Sequence, residues 1–192
     1  PTRDNLADQG IRFLSFYSEV ECSPSRGALM TGRHPIRTGL YTITLPGEVG
    51  SGLHEDEVTA AEILSRAGYY TGFFGKWHMG GEEEHYPTNQ GFDEAEWSEG
   101  NPPWWVNNRN AKSTDDVGGF TQRGMIHSPG PENFPYDTGG VLRATKGKEP
   151  EMVYEYSMEK YNTYDSEVAD RVIDFIARRA RTDGPFFVNF WG

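Results

Sequence analysis

Cysteine is almost absent: Cys22 is the only one in 192 residues. That excludes a disulfide framework within the chain and makes a metal centre built on thiolates improbable. No apolar run reaches the length that crosses a bilayer. No secretory leader is visible, and the chain opens on Pro1 rather than Met. The compartment is therefore not assigned: periplasmic, secreted, lysosomal-type and cytoplasmic locations all stay open. Basic residues are few, 18 Lys and Arg against 29 Asp and Glu, for a net charge of −11. This balance argues against a general nucleic-acid or membrane-surface binder. Acidic residues have a gap of their own. None occurs from Cys22 to Leu40, where Arg26, Arg33 and Arg37 stand. A basic island in an acidic protein suits a small anionic ligand held locally; a solvated helix face is the plainer alternative. Internal repeats are also lacking.

What is present is a strand-and-helix alternation rich in glycine and proline, 23 and 12 residues. Leu6 and Ala7, stopped by Gly10, predict a short helix. The apolar run Ile11 to Ser18 predicts a strand. Ser25 to about Arg33 predicts a helix, with Ser23 as a plausible N-cap, Pro24 in an early position and His34-Pro35 as its end. Residues 38–54 carry no helical period and read as loop. Glu57 to Ala67 predicts a helix with Val58, Ala61, Ile63 and Leu64 on its apolar side and Gly68 as its stop. Tyr69 to Phe74 predicts a strand and Gly91 to Trp97 a short one. Glu82-Glu83-Glu84 reads as a solvated acidic cluster. From Asn101 to Pro150 no period is sustained, so the segment reads as an active-site rim or an excursion over the surface, with Trp104-Trp105 packing the loop or, as the alternative, lining a pocket. Asp165 to Arg181 predicts a helix capped by Asp165 or Ser166, with Val168, Val172, Ile173, Phe175, Ile176 and Ala180 on one face. Asp183-Gly184-Pro185 breaks it before a final strand, Phe186 onward. The fold class is α/β: a mostly parallel sheet flanked by helices.

Two places could carry chemistry. Cys22-Ser23-Pro24-Ser25-Arg26 follows a predicted strand and opens a helix, where free N–H groups attract an anion. Arg26 lies one helical turn on and can project back toward Cys22. Lys76 and His78 stand two apart just past another strand, so in extended geometry both point one way. In open parallel sheets, ligands bind beyond the carboxyl ends of strands. If the two places meet, they supply a nucleophile precursor, two cations and a proton-transferring group. A cysteine phosphatase loop does not fit, because it needs five residues between Cys and Arg and here there are three. No particular His is selected for a cysteine protease. A buried free thiol would explain an isolated cysteine, but not Ser-Pro-Ser-Arg beside it.

Cys22-Ser23-Pro24-Ser25-Arg26, with Leu29-Met30-Thr31-Gly32-Arg33, resembles the signature of the formylglycine-dependent sulfatases. Gly75-Lys76-Trp77-His78-Met79-Gly80 resembles that family's second motif. Thr59 to Leu64, Ala67-Gly68-Tyr69, Gly91-Phe92-Asp93 and the closing helix and strand are similar too. The resemblance covers most of the chain outside roughly 98–150. It implies an alkaline-phosphatase-like α/β fold, with residues 1–192 as an incomplete part of a single catalytic domain and 98–150 as a loop-rich insertion. It implies a sulfuric ester hydrolase in which a maturation enzyme reads Cys-x-Pro-x-Arg and oxidises Cys22 to formylglycine. The hydrated aldehyde would attack sulfur. Arg26 would hold the gem-diol, Lys76 would bind a sulfate oxygen, and His78 would bind or deprotonate the diol. A divalent metal, calcium or magnesium, would be coordinated partly by residue 22 as formylglycine. The substrate would be a small sulfate ester or a sulfated sugar. A phosphonate monoester or phosphodiester hydrolase, and a non-catalytic binding or scaffold homologue, remain as alternatives.

The resemblance further implies paired aspartates before Pro1, and an Asp-Asn pair, a His and a Lys beyond Gly192. Asp115-Asp116 mimics the aspartate pair but follows polar loop, and Asp4-Asn5 reads as a helix start. The 192 residues alone are accordingly expected not to hydrolyse sulfate esters.

Overall fold

The computed structural model describes residues 2–44, 51–98, 140–155 and 158–192. Five helices and five strands occur among them. They are α1 (Thr2–Gln9), α2 (Cys22–Thr31), α3 (Pro35–Thr38), α4 (Ala60–Arg66), β1 (Tyr70–Lys76), β2 (Glu94–Ser98), β3 (Gly140–Thr145), β4 (Glu151–Glu155), α5 (Met158–Arg179) and β5 (Phe186–Trp191). A short 3₁₀ turn, Glu83–His85, lies between β1 and β2.

The strands form one sheet in the order β4-β3-β2-β1-β5. β1 pairs in parallel with both neighbours, β2 and β5. The β2–β3 and β3–β4 pairings are antiparallel, so the sheet is mixed. β1 shows why it sits inside the sheet. Its side chains alternate between two cores, as a strand covered on both faces requires. Phe73 joins Met30, Leu40, Ala61, Trp77 and Phe92 on one face. Phe74 joins Tyr164, Val168, Val172 and Phe175 of α5 on the other. Gly72 makes room for α5, because a Cβ there would lie 2.5 Å from the Phe175 ring. On the α5 face, charged pairs tie helix to strand: Arg178 to Glu94 at 2.5 Å and Arg171 to Glu96 at 3.4 Å.

Several expectations need correction. Ile11 to Ser18 is not a strand. Ile11, Phe13, Leu14, Phe16 and Tyr17 are 70–88% exposed. An apolar run becomes a strand only where a sheet edge takes its N–H and C=O groups, and no described strand lies against this one. The stretch read as structureless to Pro150 contains β3, which is too short for its period to stand out. α4 starts later than expected, because Thr59 and Glu62 close a reciprocal capping box. Ala61 is its buried residue, while Ile63 is 57% exposed. α5 starts at Met158, so Asp165 and Ser166 lie inside it and cap nothing. Tyr164, absent from the expected face, is buried, and Ile173 is exposed. Trp104-Trp105 and Asp115-Asp116 lie outside the described residues, whereas Asp4 and Asn5 lie in α1.

Candidate active site

α2 presents Cys22 as its first residue. Glu21, in extended geometry, is the N-cap and makes no side-chain cap bond. Ser23 is therefore not the cap; it lies buried inside the helix start, its hydroxyl facing Thr44. Pro24 costs no hydrogen bond in a first helical turn. Gly27 keeps the helix close to the next segment, since a Cβ there would meet Leu40 Cδ1 at 2.8 Å. Gly32 ends the helix in the left-handed region, φ 66°. The thiol is exposed, so the buried-thiol alternative fails.

The second motif divides its residues by alternation. Trp77 and Met79 are wholly buried in the core. Trp77 is fixed by its indole N–H donating to the His85 carbonyl at 2.8 Å and its backbone N–H donating to Ser98 at 2.7 Å. Lys76 and His78 are left to the other side. Lys76 closes β1, and its Nζ donates to Cys22 Sγ at 3.4 Å. Arg26 Nη1 donates to the Lys76 carbonyl at 2.5 Å. The two motifs, 54 positions apart between Cys22 and Lys76, therefore meet.

His78 does not follow in simple extended geometry. It takes a left-handed φ of 56°, a conformation that is uncommon outside glycine. This turn brings its Nε2 to the Thr44 carbonyl at 3.1 Å. A carbonyl only accepts, so Nε2 carries the hydrogen and Nδ1 keeps the lone pair. Nδ1 is buried with no hydrogen-bond partner among the described residues. Thr44 is the clamp between the motifs. Its hydroxyl donates to the His78 carbonyl at 3.3 Å, and its N–H donates to Ser23 Oγ at 3.1 Å.

The charges are set by this packing. Burial lowers the Arg26 and Lys76 pKa values, and Lys76 is lowered further by Arg26 and raised by Cys22. Burial, then Lys76 and Arg26, push His78 down to about 3, so its ring is neutral at ordinary pH. Of the basic island, Arg33 is taken up by Glu57 at 2.5 Å, and Arg37 is exposed on α3. Only Arg26 turns inward to the site. Two fixed cations make a seat for an anion, and the Nδ1 lone pair of the neutral imidazole beside them can accept a proton.

The resemblance implies a divalent cation held partly by residue 22, whose Sγ stands here for the oxygens of a formylglycine. Among the described residues, the one group of three His, Cys or acidic ligands close enough to share an ion is Glu82, Glu84 and His85, which excludes Cys22. The recorded neighbour of the thiol is a lysine ammonium. These residues fit an anion, and a cation held by residue 22 would need its other ligands from outside the described residues. Sequence reasoning missed Thr44, which has no motif of its own. It also missed Trp191, whose ring lies against Arg26; its place at the carboxyl end of a parallel strand was a usable signal.

Comparison with known proteins places nearly the whole chain in one family. The family model described as Sulfatase matches residues 1–190. Bovine (Bos taurus) arylsulfatase A is 50% identical over 95 residues, 48% of this chain and 19% of that protein. The N-acetylgalactosamine-6-sulfatase of Sus scrofa is 32% identical over 206 residues, 100% of this chain and 34% of that protein. The crystal structure of PsFucS1 sulfatase from Pseudoalteromonas sp. superposes with a TM-score of 0.77 at 30% identity, covering 98% of this chain and 37% of that one. The chain thus spans between 19 and 34% of the length of these two curated relatives. With the family match running over nearly every residue, the chain belongs to the sulfatase family.

Proposed function

We propose that the protein carrying this chain hydrolyses a sulfate ester, with Cys22 converted to formylglycine as its nucleophile. The observation that carries this reading is the contact of Lys76 Nζ with the side chain of residue 22, at 3.4 Å, beside the half-buried Arg26. When present, the hydrated aldehyde supplies one hydroxyl to attack sulfur and a second whose deprotonation lets sulfate leave by C–O cleavage. A serine in that place would leave a sulfate ester still needing an attacking water.

The positions of the chain's own residues support a role for each in this reading. Lys76 holds a sulfate oxygen next to residue 22 and stabilises charge there as the S–O ester bond breaks. Arg26 holds the side chain of residue 22 and its developing negative charge. His78 accepts the second hydroxyl's proton at Nδ1, the only ring atom free to do so. Burial, then Lys76 and Arg26, hold its pKa near 3. A bound sulfate adds negative charge beside it and raises that value.

Family membership implies a divalent metal and formylglycine in general. We propose calcium as the metal and a formylglycine-generating enzyme as the maturation partner. The relatives named arylsulfatase A and N-acetylgalactosamine-6-sulfatase support an aryl or sugar sulfate as substrate. The 192-residue span alone is inactive in this reading, because its described residues build the anion seat and no complete cation seat.

The test uses the whole protein on matched sulfate and phosphate esters. Sulfate turnover is expected to dominate, and Cys22→Ala to lower kcat by at least about a thousandfold. Preference for the phosphate ester, or full activity in Cys22→Ala, would refute the reading.

A further inference from the structure

Arg26 is held in an unusual way. Its side chain is half-buried, and that burial depresses the pKa of the guanidinium. A cation so placed is ordinarily paired with a carboxylate. Among the described residues no carboxylate pairs with Arg26. It has instead the Lys76 carbonyl at 2.5 Å and, under its face, the Trp191 ring, 4.7 Å from the guanidinium carbon to the ring centroid.

The indole is itself fixed. Trp191 ends β5, where it pairs with Gly75 of β1, one residue before Lys76. Gly75 takes φ +118°, and a Cβ there would lie 1.9 Å from the Trp191 carbonyl oxygen. The ring meets Phe73 edge-on at 5.1 Å and 85°. Two residues earlier on the same strand, Asn189 Nδ2 donates to Met30 Sδ at 3.3 Å, so α2 and β5 are also joined a turn beyond Arg26. A carboxylate in place of Trp191 would orient the guanidinium and also neutralise it. An aromatic face orients it and leaves its charge and its remaining N–H edge for an anion.

We propose that Trp191 is a positioning residue for the reaction, acting through Arg26: its ring holds the guanidinium flat, charged and unneutralised against the site. This rests on the sulfate-ester reading above. The role is one of orientation, so the loss falls on kcat more than on KM.

The experiment measures kcat, KM, inhibition by inorganic sulfate and melting temperature in the whole protein. The variants are Trp191→Phe, Trp191→Met, Arg26→Lys and the Trp191→Met/Arg26→Lys pair. Methionine fills space without an aromatic face, and lysine lacks the flat guanidinium. Trp191→Met is expected to lower kcat about tenfold or more, and Trp191→Phe to recover most of that loss. The pair is expected to be no worse than Arg26→Lys alone within about twofold, because both changes remove one interaction. Two outcomes overturn the inference alone: full additivity in the pair, or equal losses in Phe and Met variants that keep the wild-type melting temperature. Wild-type turnover in Arg26→Lys overturns both the inference and the role given to Arg26 under the sulfate-ester reading.

Discussion

His78 carries the most constraint for its size. Its left-handed backbone, its bond to the Thr44 carbonyl and its neutral ring belong to one arrangement. The folded pKa is depressed from 6.5 to about 3, so the unfolded chain binds more protons between those values. Stability therefore rises with pH through that window and is lost as pH falls from about 6.5 toward 3. His78→Gln keeps an N–H for the Thr44 carbonyl and does not titrate. Melting temperature followed from pH 7 to pH 4 is expected to fall several degrees less in His78→Gln than in the parent; identical slopes would contradict the assignment. At this scale the sequence was informative where chemistry is written as a motif. Cys22, Arg26, Lys76 and His78 were all singled out, and the structure brings their segments together. It was silent on Thr44 and on the tautomer of His78, because both depend on a backbone carbonyl reached through tertiary packing.

Elements hold these residues at their stations, and β1 matters most. Its carboxyl end delivers Lys76, its Gly75 admits the Trp191 backbone, and its Gly72 admits Phe175. Gly75→Ala would combine a strained φ with a backbone collision at 1.9 Å. The expected cost is about 3 kcal/mol or more in denaturant unfolding, and a change below about 0.5 kcal/mol would mean the β1–β5 register is misdescribed. The helices α2, α4 and α5 and the strands β1, β2 and β5 were legible, because their periods and stop signals agree with their surroundings. Ile11 to Ser18 was misread because strand propensity depends on a neighbour. The start of α5 was misread because Asp165 and Ser166 resemble caps although the helix already runs through them. The exposed Ile63 shows the same limit: helical period says which residues share a face and not which face meets the sheet.

The whole molecule has two unlike surfaces. One side of the sheet is closed by α5 over the second core. Elsewhere Ile11, Leu14, Tyr17, Val20, Leu29, Ile36 and Tyr41 stand 67–97% exposed, more large apolar groups along one stretch than soluble monomers commonly show. The 192-residue span, prepared alone, is expected to bind a hydrophobic dye strongly and to show no arylsulfatase turnover with added calcium. Weak dye binding with metal-dependent turnover would contradict both expectations. In the proposed account this span supplies the nucleophile, the cations and the proton acceptor; the two curated relatives it matches are several times longer.

That account stands on the fate of residue 22. The direct measurement is the mass of the peptide containing it, from whole protein made in a host that matures sulfatases. The account predicts a peptide about 18 Da lighter than its cysteine form. A peptide carrying unmodified Cys22, from protein that nonetheless hydrolyses sulfate esters, would contradict it.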